Sequence, residues 1–376
     1  MKTGNSNTFG IQWNGITRND TTVLKGISIS VIILHNYFHS FPSWGLENEF
    51  SFKPERFEFF SGNLSLNLYN NVGLLFSYFG HYGVQLFVFL SSYGLYLSYK
   101  NKPIEYWSFV RGRIWKLWPA FFLAVLFFLA VNIITYKHFN HPELYQGSLL
   151  RLSLLSNLVP GKSFDIVGPW WFYSMIVQFY LLFPLLRKLF ARHGLKALVL
   201  LSLCSWIIQI LFTDTLNRAG WTLNTTVIGH LPTFCLGLAA ASQKSLRIPA
   251  LLFAAACIVF YIGNMSMVAW VFSQVMVVLI SLYAYLYLKN KLVVGTGFLR
   301  SFLFFTGNLS MYLFAVNGFL RHPFVHYAAR LDNGFAKCAV LIAFLTLVTL
   351  AALTLQWAEK QFLKLVDRQP KTAISG

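Results

Sequence analysis

The feature that most constrains this chain is a series of long apolar stretches that recurs along nearly its whole length. A helix needs about 20 apolar residues to cross the hydrocarbon core of a bilayer. Ten stretches approach or reach that length, at residues 22–40, 73–98, 114–136, 168–190, 195–213, 225–242, 248–263, 267–288, 300–320 and 336–356. The sequence therefore predicts an all-α fold, a polytopic integral membrane helical bundle of about ten transmembrane helices.

Composition supports the same class of protein. Only 11% of the 376 residues are charged and 56% are hydrophobic, whereas a soluble domain carries about 25% charged residues. We find no internal repeat, no low-complexity linker and no appended soluble domain. Residues 1–376 are therefore predicted to form a single transmembrane domain, with short cytoplasmic tails at about 1–21 and 357–376.

The strongly basic balance is explained by membrane orientation. Thirty Lys and Arg residues against twelve Asp and Glu give a formal net charge of +18. Cytoplasmic loops are enriched in Lys and Arg, and if both termini are cytoplasmic, 21 of the 30 cations fall on the inner side. The charge therefore indicates topology, and no nucleic-acid partner is predicted. No His or Cys spacing is typical of a metal site, so no metal is predicted either.

The acidic residues give a second indication, because all twelve fall outside the ten apolar stretches. Proton- or sodium-coupled transporters commonly use a carboxylate inside the membrane. Its absence from these stretches argues against a coupled pump and leaves a passive translocator open.

His35 is the first candidate for chemistry. It lies ten residues after Lys25 in the first apolar stretch, which is about 15 Å further along a helix. Neutral imidazole can act as a general base or a nucleophile near pH 7; the alternative is a core histidine bonded to a backbone carbonyl. Since no buried carboxylate is expected nearby, the second ring nitrogen must use a backbone carbonyl, Asn36, Ser91 or Tyr180.

Other polar side chains inside the apolar stretches are candidate substrate contacts, because polar groups in hydrocarbon are costly. His81 in the second stretch is expected to face His35 at a similar depth, and Gly80 and Gly83 beside it permit close approach of helices. The remaining candidates are Ser91, Trp171, Gln178, Tyr180 and Asn317. Ordinary packing is the alternative explanation for such residues.

A basic cluster precedes most of the third apolar stretch. The segment FVRGRIWKLWPAF holds Arg111, Arg113 and Lys116. Guanidinium groups match the geometry of phosphate, so the cluster can hold a phosphorylated cytoplasmic ligand. The alternative is ordinary anchoring of a cytoplasmic loop by its positive charge.

Six segments, in order along the chain, resemble the membrane acyltransferase-3 family, whose members O-acylate sugars of bacterial surface and exported polysaccharides. LKGISISVIILH is similar to the family's first-helix pattern of a basic residue followed by histidine about ten positions later. GVQLFVFLSSYGL, RIWKLWP and WWFYSMIVQFYLLFPLL resemble its second-helix segment, its R-x-x-R-I-x-P element and its segment ending Q-F-Y-L-L-F-P. HLPTFCLGLAAA and GNLSMYLFAVN are similar to two of its later helices.

The resemblance implies an enzyme that moves an acyl group, with acetyl the first expectation, from acyl-CoA as co-substrate to a sugar hydroxyl. It implies that His35 is catalytic. The acyl-CoA is then expected to contact the basic residues Lys25, Arg111, Arg113 and Lys116. The acceptor, a surface or exported polysaccharide or its lipid-linked precursor, is expected to contact His81, Ser91, Trp171, Gln178, Tyr180 and Asn317.

The resemblance also implies a place in the cell and a set of partners. The expected location is the bacterial cytoplasmic (inner) membrane, which the chain would cross several times. Besides acyl-CoA, the saccharide acceptor and membrane lipid, the possible partners are polysaccharide-synthesis machinery and a second copy of the chain.

The sequence departs from the family pattern where the family carries charged or titratable side chains. These departures bear on the acyl group and the acceptor more than on the fold. The departures are Lys25 and Lys116 in place of arginines, Ile176 and Val177 across the position of the family's glutamate before Q-F-Y, Gln85 in place of an acid and Asn317 in place of a histidine.

Two other functions remain open at this point. A non-enzymatic translocator of lipid-linked or exported saccharide would use the same helices as a path, with aromatic side chains stacking on sugar rings. It predicts transport without acyl-CoA and no dependence on His35. A structural subunit of a polysaccharide-synthesis complex predicts that changes at His35 have no effect as long as the bundle folds.

Overall fold

A computed structural model describes residues 10–42, 44, 46–65, 67–137, 141–294 and 297–367; the ends of the two predicted tails, residues 1–9 and 368–376, lie outside this range. The described residues form fourteen α-helices and a two-stranded antiparallel ribbon. The helices are α1 (Arg18–Phe38), α2 (Pro54–Gly62), α3 (Leu68–Phe79), α4 (Gly83–Tyr99), α5 (Tyr106–Trp115), α6 (Trp118–Tyr136), α7 (Pro142–Leu152), α8 (Trp171–His193), α9 (Leu195–Arg218), α10 (Val227–Ser242), α11 (Ala250–Ile262), α12 (Met267–Val294), α13 (Gly297–Ala328) and α14 (Gly334–Asp367), and the strands are β1 (Gly10–Trp13) and β2 (Leu246–Pro249).

Long apolar helices dominate the fold, as an all-α membrane bundle requires. In the part of the chain that the structure describes, seven helical segments are long and apolar enough to cross a membrane: Leu68–Tyr99, Tyr106–Thr135, Gly168–His193, Leu195–Arg218, Met267–Lys289, Gly297–Ala328 and Gly334–Val366. α10 and α11 are shorter apolar helices, and α1 has 21 residues. The chain is therefore a multi-pass membrane protein, whereas the count of ten spans and the side on which the termini lie remain predictions.

Each predicted stretch is mostly helical, and two of them are divided between two α-helices. A 3-10 turn at Gly80–Tyr82 separates α3 from α4 within the stretch 73–98. In the stretch 114–136, α5 ends at Trp115 and α6 starts at Trp118. Pro119 lies in the first turn of α6, where its missing N–H removes no helical hydrogen bond. The segments before and between the stretches also hold short helices, α2, α5 and α7, that the sequence did not predict.

Parts of both predicted tails form secondary structure. β1 pairs antiparallel with β2, so that Gly10 lies opposite Pro249 and Trp13 lies opposite Leu246. This ribbon and the first residues of α1 occupy part of the stretch 1–21, and α14 continues through most of the second predicted tail. The ribbon, with four residues in each strand, is an exception to the all-α prediction.

Asp20 fixes the beginning of α1. Its backbone N–H donates to the Thr17 hydroxyl at 3.1 Å, and its carboxylate accepts from the Thr17 N–H at 2.8 Å, which is a capping box. The same carboxylate accepts from the Tyr285 hydroxyl at 2.6 Å and from the Lys289 ammonium at 3.0 Å. Asp20, predicted to precede the first helix, is therefore a buried residue of that helix that ties α1 to α12.

Close packing between α1 and α13 places the second half of α13 beside the site described below. Gly26 of α1 lies against the backbone of Leu303, and Gly307 of α13 lies against the backbone of Thr22. A Cβ atom at either glycine would collide with the facing carbonyl group. The two helices can therefore pack this closely because each presents a glycine to the other.

Three connecting segments meet at one end of the bundle. They are residues 46–53 after α1, residues 153–168 before α8, and residues 214–226, which comprise the end of α9 and its connection to α10. Backbone and side-chain hydrogen bonds join them, for example from the Gly161 N–H to the Gly220 carbonyl at 2.8 Å. We call this the vestibule end. The opposite end, where α1 begins beside the last turns of α12, we call the Lys25 end.

Candidate active site

His35 lies in the last turn of α1 and lines a cavity of about 170 Å³, which we call the His35 cavity. The wall combines titratable or polar side chains with aromatic and aliphatic ones. The polar members are His35, Asn36, His39, Glu49, His81 and Arg321, and the apolar members include Ile32, Phe50, Val84, Phe164, Pro169, Trp171 and Phe314.

A backbone carbonyl fixes where the proton of neutral His35 lies. Nδ1 of His35 is 3.0 Å from the carbonyl oxygen of Phe76 in α3. A carbonyl oxygen can only accept, so Nδ1 carries the hydrogen and Nε2 keeps a free lone pair. The approach requires glycine at position 80, because a Cβ atom there would lie 2.6 Å from the Cβ of His35. Of the partners expected for the second nitrogen, the backbone carbonyl is the one present.

Two further histidines lie against His35. His39, one helical turn further on, stacks on His35 with ring centroids 5.1 Å apart. His81, in the 3-10 turn between α3 and α4, approaches edge-on with centroids 5.7 Å apart. The structure therefore has His81 facing His35, as the sequence predicted.

The loop after α1 brings two carboxylates to these histidines. The Oε2 atom of Glu49 lies 3.8 Å from Nε2 of His35, and the Oε2 atom of Glu47 lies 2.8 Å from Nδ1 of His39. Both glutamates are mostly buried. The prediction that no buried carboxylate lies near His35 is therefore wrong. Sequence reasoning missed this pair because the loop that carries it lies outside the apolar stretches and folds back into the bundle.

Their surroundings drive the two glutamates in opposite directions. Burial and the negative charge of Glu47 raise the pKa of Glu49 well above its ordinary value. Burial acts on Glu47 in the same sense, but the hydrogen bond with His39 and the electrostatic interactions with His39, His35 and Arg56 outweigh burial and lower the pKa of Glu47. Glu49 is therefore easier to protonate than an ordinary glutamate, and Glu47 is harder to protonate.

Side chains from four segments hold the loop that carries these glutamates. Its five consecutive carbonyl groups from residue 47 to residue 51 each accept a side-chain hydrogen bond. Arg56 donates to Glu47 at 2.6 Å and to Ser51 at 2.7 Å, Trp270 donates to Asn48 at 2.6 Å, Asn224 donates to Glu49 at 3.1 Å and Asn217 donates to Phe50 at 3.2 Å. The loop can therefore be buried with its backbone satisfied, which fixes Glu49 beside His35.

Arg321 of α13 brings a cation to the His35 cavity. Its Nε donates to the Ser40 hydroxyl at 2.6 Å. Its Nη1 is buried and has no hydrogen-bond partner among the described residues. Arginine stays charged at every relevant pH, so this N–H is available to a negatively charged oxygen in the cavity. The sequence offered one signal for Arg321 that went unused, its position directly after the apolar stretch 300–320.

A second cavity, of about 160 Å³, lies further along α1 toward the Lys25 end. We call it the Lys25 cavity. Three predicted site residues, Lys25, Ser91 and Tyr180, line it. The rest of its wall is mostly apolar and consists of Phe87, Leu117, Phe172, Tyr173, Ile176, Ser310, Met311 and Phe314. The prediction had assigned Ser91 and Tyr180 to the acceptor, but both lie with the predicted donor residue Lys25.

One aromatic side chain lines both cavities. Phe314 of α13 contributes to the wall of the His35 cavity and to that of the Lys25 cavity. Its ring packs against Phe172 and Tyr173, with centroids 5.2 and 5.7 Å away. The two cavities are therefore neighbours that share a wall.

The other predicted substrate-binding residues differ in whether they line the His35 cavity. Trp171 lines the His35 cavity. Asn317 lies behind the cavity wall: its side-chain oxygen accepts from Asn36 at 2.7 Å, and Asn36 lines the cavity. Gln178 lines neither cavity, and its side-chain oxygen accepts from the Val227 N–H at 3.2 Å. Gln178 therefore holds the start of α10.

The predicted basic cluster lies at the Lys25 end but outside both cavities. The guanidinium of Arg113 stacks over the ring of Tyr99 at 5.2 Å. Arg111 and Lys116 are exposed, and Arg111 lines a separate, open cavity of about 450 Å³ along α5. Leu117, which follows Lys116 in the chain, lines the Lys25 cavity. The cluster is therefore adjacent to that cavity without forming its wall.

Two of the departures from the family pattern have a structural context. The amide nitrogen of Gln85 lies 3.1 Å from Nδ1 of His230, whose Nε2 lies 2.8 Å from the carbonyl oxygen of Asn224. The His230 ring in turn stacks on Trp171 with centroids 5.4 Å apart. This uncharged network braces the wall of the His35 cavity. Ile176, where the family's glutamate is missing, lines the Lys25 cavity instead.

Comparison with known proteins gives one match. The sequence model of a protein family described as an acyltransferase domain matches residues 19–358. This range contains both cavities and every site residue named above. No curated protein matches the chain, and no solved structure matches it.

Proposed function

The chain belongs to the acyltransferase-3 family, and we propose that it moves an acyl group, acetyl in the first instance, from cytoplasmic acyl-CoA to a saccharide hydroxyl. The membership itself makes the chain a membrane acyltransferase for groups other than aminoacyl groups. The proposed acceptor is a surface or exported polysaccharide or its lipid-linked precursor. The proposed location is the bacterial cytoplasmic membrane, with the vestibule end outward and the Lys25 end inward.

The observation that carries the proposal is the free lone pair of His35. Because Nδ1 donates to the Phe76 carbonyl, Nε2 points its lone pair at the groups in a buried cavity. In a direct route, Nε2 takes the proton of the acceptor hydroxyl as that oxygen attacks the thioester carbonyl. The carbon–sulfur bond then breaks, and the proton passes from the imidazole to the CoA sulfur.

A covalent route uses the same lone pair. Nε2 attacks the thioester carbonyl, CoA leaves as its thiolate, and an acyl-histidine forms. The acceptor hydroxyl then takes the acyl group, and its proton balances the thiolate. Either route yields one ester and one free thiol.

Glu49 supports both routes through its protonation state. Its raised pKa makes the Glu49 carboxyl group, 3.8 Å from Nε2, easier to protonate than an ordinary glutamate, and a protonated carboxyl group would leave the lone pair of His35 free. Once Nε2 has taken a proton or an acyl group, ionisation of Glu49 would stabilise the positive charge on the ring. Glu49 is thus proposed as the carboxylate partner of His35.

Arg321 supports the step in which charge develops on the thioester oxygen. Attack on the carbonyl places a negative charge on that oxygen in the transition state, and fixed donors in a water-poor site stabilise such a charge strongly. Arg321 lines the same cavity as His35, and its Nη1 has no hydrogen-bond partner among the described residues. We assign Arg321 as the oxyanion donor.

The Lys25 cavity is proposed as the path of the acyl donor. Its apolar wall suits the thioester arm of CoA, and Lys25 provides a cation for an amide oxygen or a phosphate at the inner end. The exposed Arg111 and Lys116, with Arg113, would contact the CoA phosphates in the cytoplasm. The arm would reach His35 by displacing Phe314, which both cavities share.

The experiment is acyl transfer from radiolabelled acetyl-CoA into the saccharide fraction of membranes that contain the protein. His35→Ala is compared with wild type at equal protein level, and His322→Ala, which removes an exposed histidine of α13, is the matched control. We expect label with wild type and His322→Ala, and a loss of at least about 10³-fold with His35→Ala, since general base or nucleophile function is removed.

Other results would redirect the assignment. Equal labelling in His35→Ala and wild type would remove His35 from the mechanism. Absence of label in all three, together with saccharide transport that needs neither acyl-CoA nor His35, would favour the translocator.

A further inference from the structure

A large open cleft at the vestibule end adjoins the His35 cavity. It has a volume of about 810 Å³ and is formed by three segments, residues 50–53, 161–164 and 214–222. Ligand sites for small molecules typically occupy about 300–1,000 Å³. None of the roles assigned above uses this cleft, which we call the vestibule.

Two phenylalanines connect the vestibule to the chemistry. Phe50 and Phe164 line both the vestibule and the His35 cavity. Their rings meet at 62° with centroids 4.6 Å apart, and Phe50 also packs edge-on against Trp171. Phe164 is 41% exposed. The pair is therefore the boundary between the cleft and the catalytic cavity, and one of its rings is open to an incoming ligand.

The backbone behind both rings is fixed by buried donors. Asn217 donates to the carbonyl of Phe50 at 3.2 Å. Arg151, which is 1% exposed, donates to the carbonyls on either side of Phe164, those of Ser163 at 3.0 Å and Asp165 at 2.6 Å. The ring of Phe164 is therefore exposed on a backbone whose position is fixed, so it presents a defined surface on which a ligand could stack.

The polar groups around the rings suit a saccharide. Asp214 and Asn217 line the vestibule, and planar carboxylate and amide groups pair with hydroxyl groups through their two oxygen or nitrogen positions. The Oδ1 atom of Asn217 is buried and has no hydrogen-bond partner among the described residues. It is an unused acceptor on a residue of the vestibule wall.

The vestibule also carries a net positive charge. Lys53 and Arg218 line it, against the single carboxylate of Asp214. Neither cation forms an ion pair with another residue in the described part of the chain, and the Nε of Arg218 donates only to a backbone carbonyl, that of Asp214 at 3.3 Å. Two cations beside aromatic and hydroxyl-binding groups would prefer a saccharide that itself carries an acidic group.

We propose that the vestibule is the docking site of the acceptor, and that it selects a saccharide chain bearing a carboxylate or phosphate group. One sugar ring stacks on Phe164 and passes its hydroxyl between the two phenylalanines toward His35, while Lys53 and Arg218 contact the acidic group. This inference rests on the proposed acyl transfer, to which it adds the acceptor's binding site and charge.

The test measures acceptor saturation in membranes of the intact protein, with radiolabelled acetyl-CoA at saturation and the saccharide fraction of the producing cells as the acceptor. The variants are Phe164→Ala and the pair Lys53→Gln with Arg218→Gln. Lys162→Gln is the matched control, since Lys162 is an exposed cation of the loop that carries Phe164 and lines neither the vestibule nor the His35 cavity. Wild-type labelling establishes the reaction first, so its failure is distinguished from failure of the docking site.

We expect the acceptor KM to rise about fivefold or more in Phe164→Ala and in the double variant, with kcat and the acetyl-CoA KM within twofold of wild type. Raised salt should increase the wild-type acceptor KM and leave that of the double variant nearly unchanged. Unchanged acceptor KM in Phe164→Ala would overturn the docking site. A raised KM in Phe164→Ala alone, without salt dependence, would overturn the selection of an acidic saccharide.

A second experiment distinguishes a phosphate group from a carboxylate group on the acceptor. Inorganic phosphate and galacturonate are each added as competitors of acyl transfer at equal ionic strength, and glucose serves as the uncharged competitor. Competition by either anion, lost in the double variant, identifies the group that Lys53 and Arg218 prefer. No competition by phosphate, galacturonate or glucose in wild type would count against a charge-selecting site.

Discussion

The His35 cavity and the Lys25 cavity differ in composition although they have nearly equal volumes, about 170 and 160 Å³, and share Phe314. The first contains three imidazoles, a carboxyl group and a guanidinium. The second contains one ammonium group in a mostly apolar wall. Bond making requires several groups that can hold or stabilise charge, whereas passage of a thioester arm requires an apolar channel. The contrast fits the proposed division of roles, in which transfer takes place in the His35 cavity and the donor enters through the Lys25 cavity.

Arg321→Gln should give the largest effect among changes that spare His35. Removal of one donor to an oxyanion costs about 10²–10³ in kcat, and the acetyl-CoA KM should stay within twofold because the donor enters from the other cavity. Steady-state transfer of radiolabelled acetyl groups measures both constants. Arg330→Gln, an exposed position after the end of α13, is the control. A normal kcat in Arg321→Gln would show that Arg321 does not stabilise the negative charge on the thioester oxygen.

Lys25→Met should show the opposite pattern of kinetic constants. The methionine keeps an apolar side chain of similar length, so the cavity remains filled while the cation is lost. We expect the acetyl-CoA KM to rise about tenfold, with kcat and the acceptor KM little changed, because only the donor meets Lys25. Arg18→Gln, an exposed change at the start of the same helix, should leave all three constants near wild type. A lower kcat with an unchanged acetyl-CoA KM would instead indicate that Lys25 takes part in the chemical step.

The smallest expected effect concerns stability, and it compares the two glutamates with each other. The raised pKa of Glu49 means that its contribution to stability is present below the ordinary pKa of 4.5 and is lost as pH rises through the raised value. Glu49→Gln should therefore gain in Tm relative to wild type as pH increases from 5 toward 8, by about 2 °C. Thermal unfolding of the detergent-solubilised protein at several pH values measures this.

Glu47→Gln is the matched variant and should show the opposite sign. The lowered pKa of Glu47 means that its contribution is present above 4.5 and is lost as pH falls through the lowered value. Its replacement should therefore lower Tm near pH 7 and matter less in acid. Two curves with the same slope would contradict the different environments of these neighbours.

The placement of the candidate residues on the helices was predictable from the sequence, and the placement of those on the loop was not. Lys25 and His35 lie at a spacing that the periodicity of one helix fixes, and His81 faces His35 because Gly80 allows two helices to approach. Such relations depend on short distances along the chain or on residue size. They are readable without knowing how loops fold.

Glu49 shows why the rest could not be read from the sequence. Its position depends on donors that come from four segments, including Asn217 and Trp270, which are more than 150 residues away along the chain. No local pattern reports such contacts. Arg321 was overlooked for a different reason, because an arginine at a helix end is normally explained by anchoring at the membrane interface.

Phe314 has a consequence for the membrane as well as for the reaction. An enzyme that brings a donor from one side to an acceptor on the other risks opening a leak for ions between the two compartments, driven by about 2.3 kcal/mol per charge for each 100 mV. Phe314 is apolar and lines both small cavities. If the donor passes between the cavities as proposed, this ring would act as a barrier until the acyl arm displaces it, and permeability would then be linked to turnover.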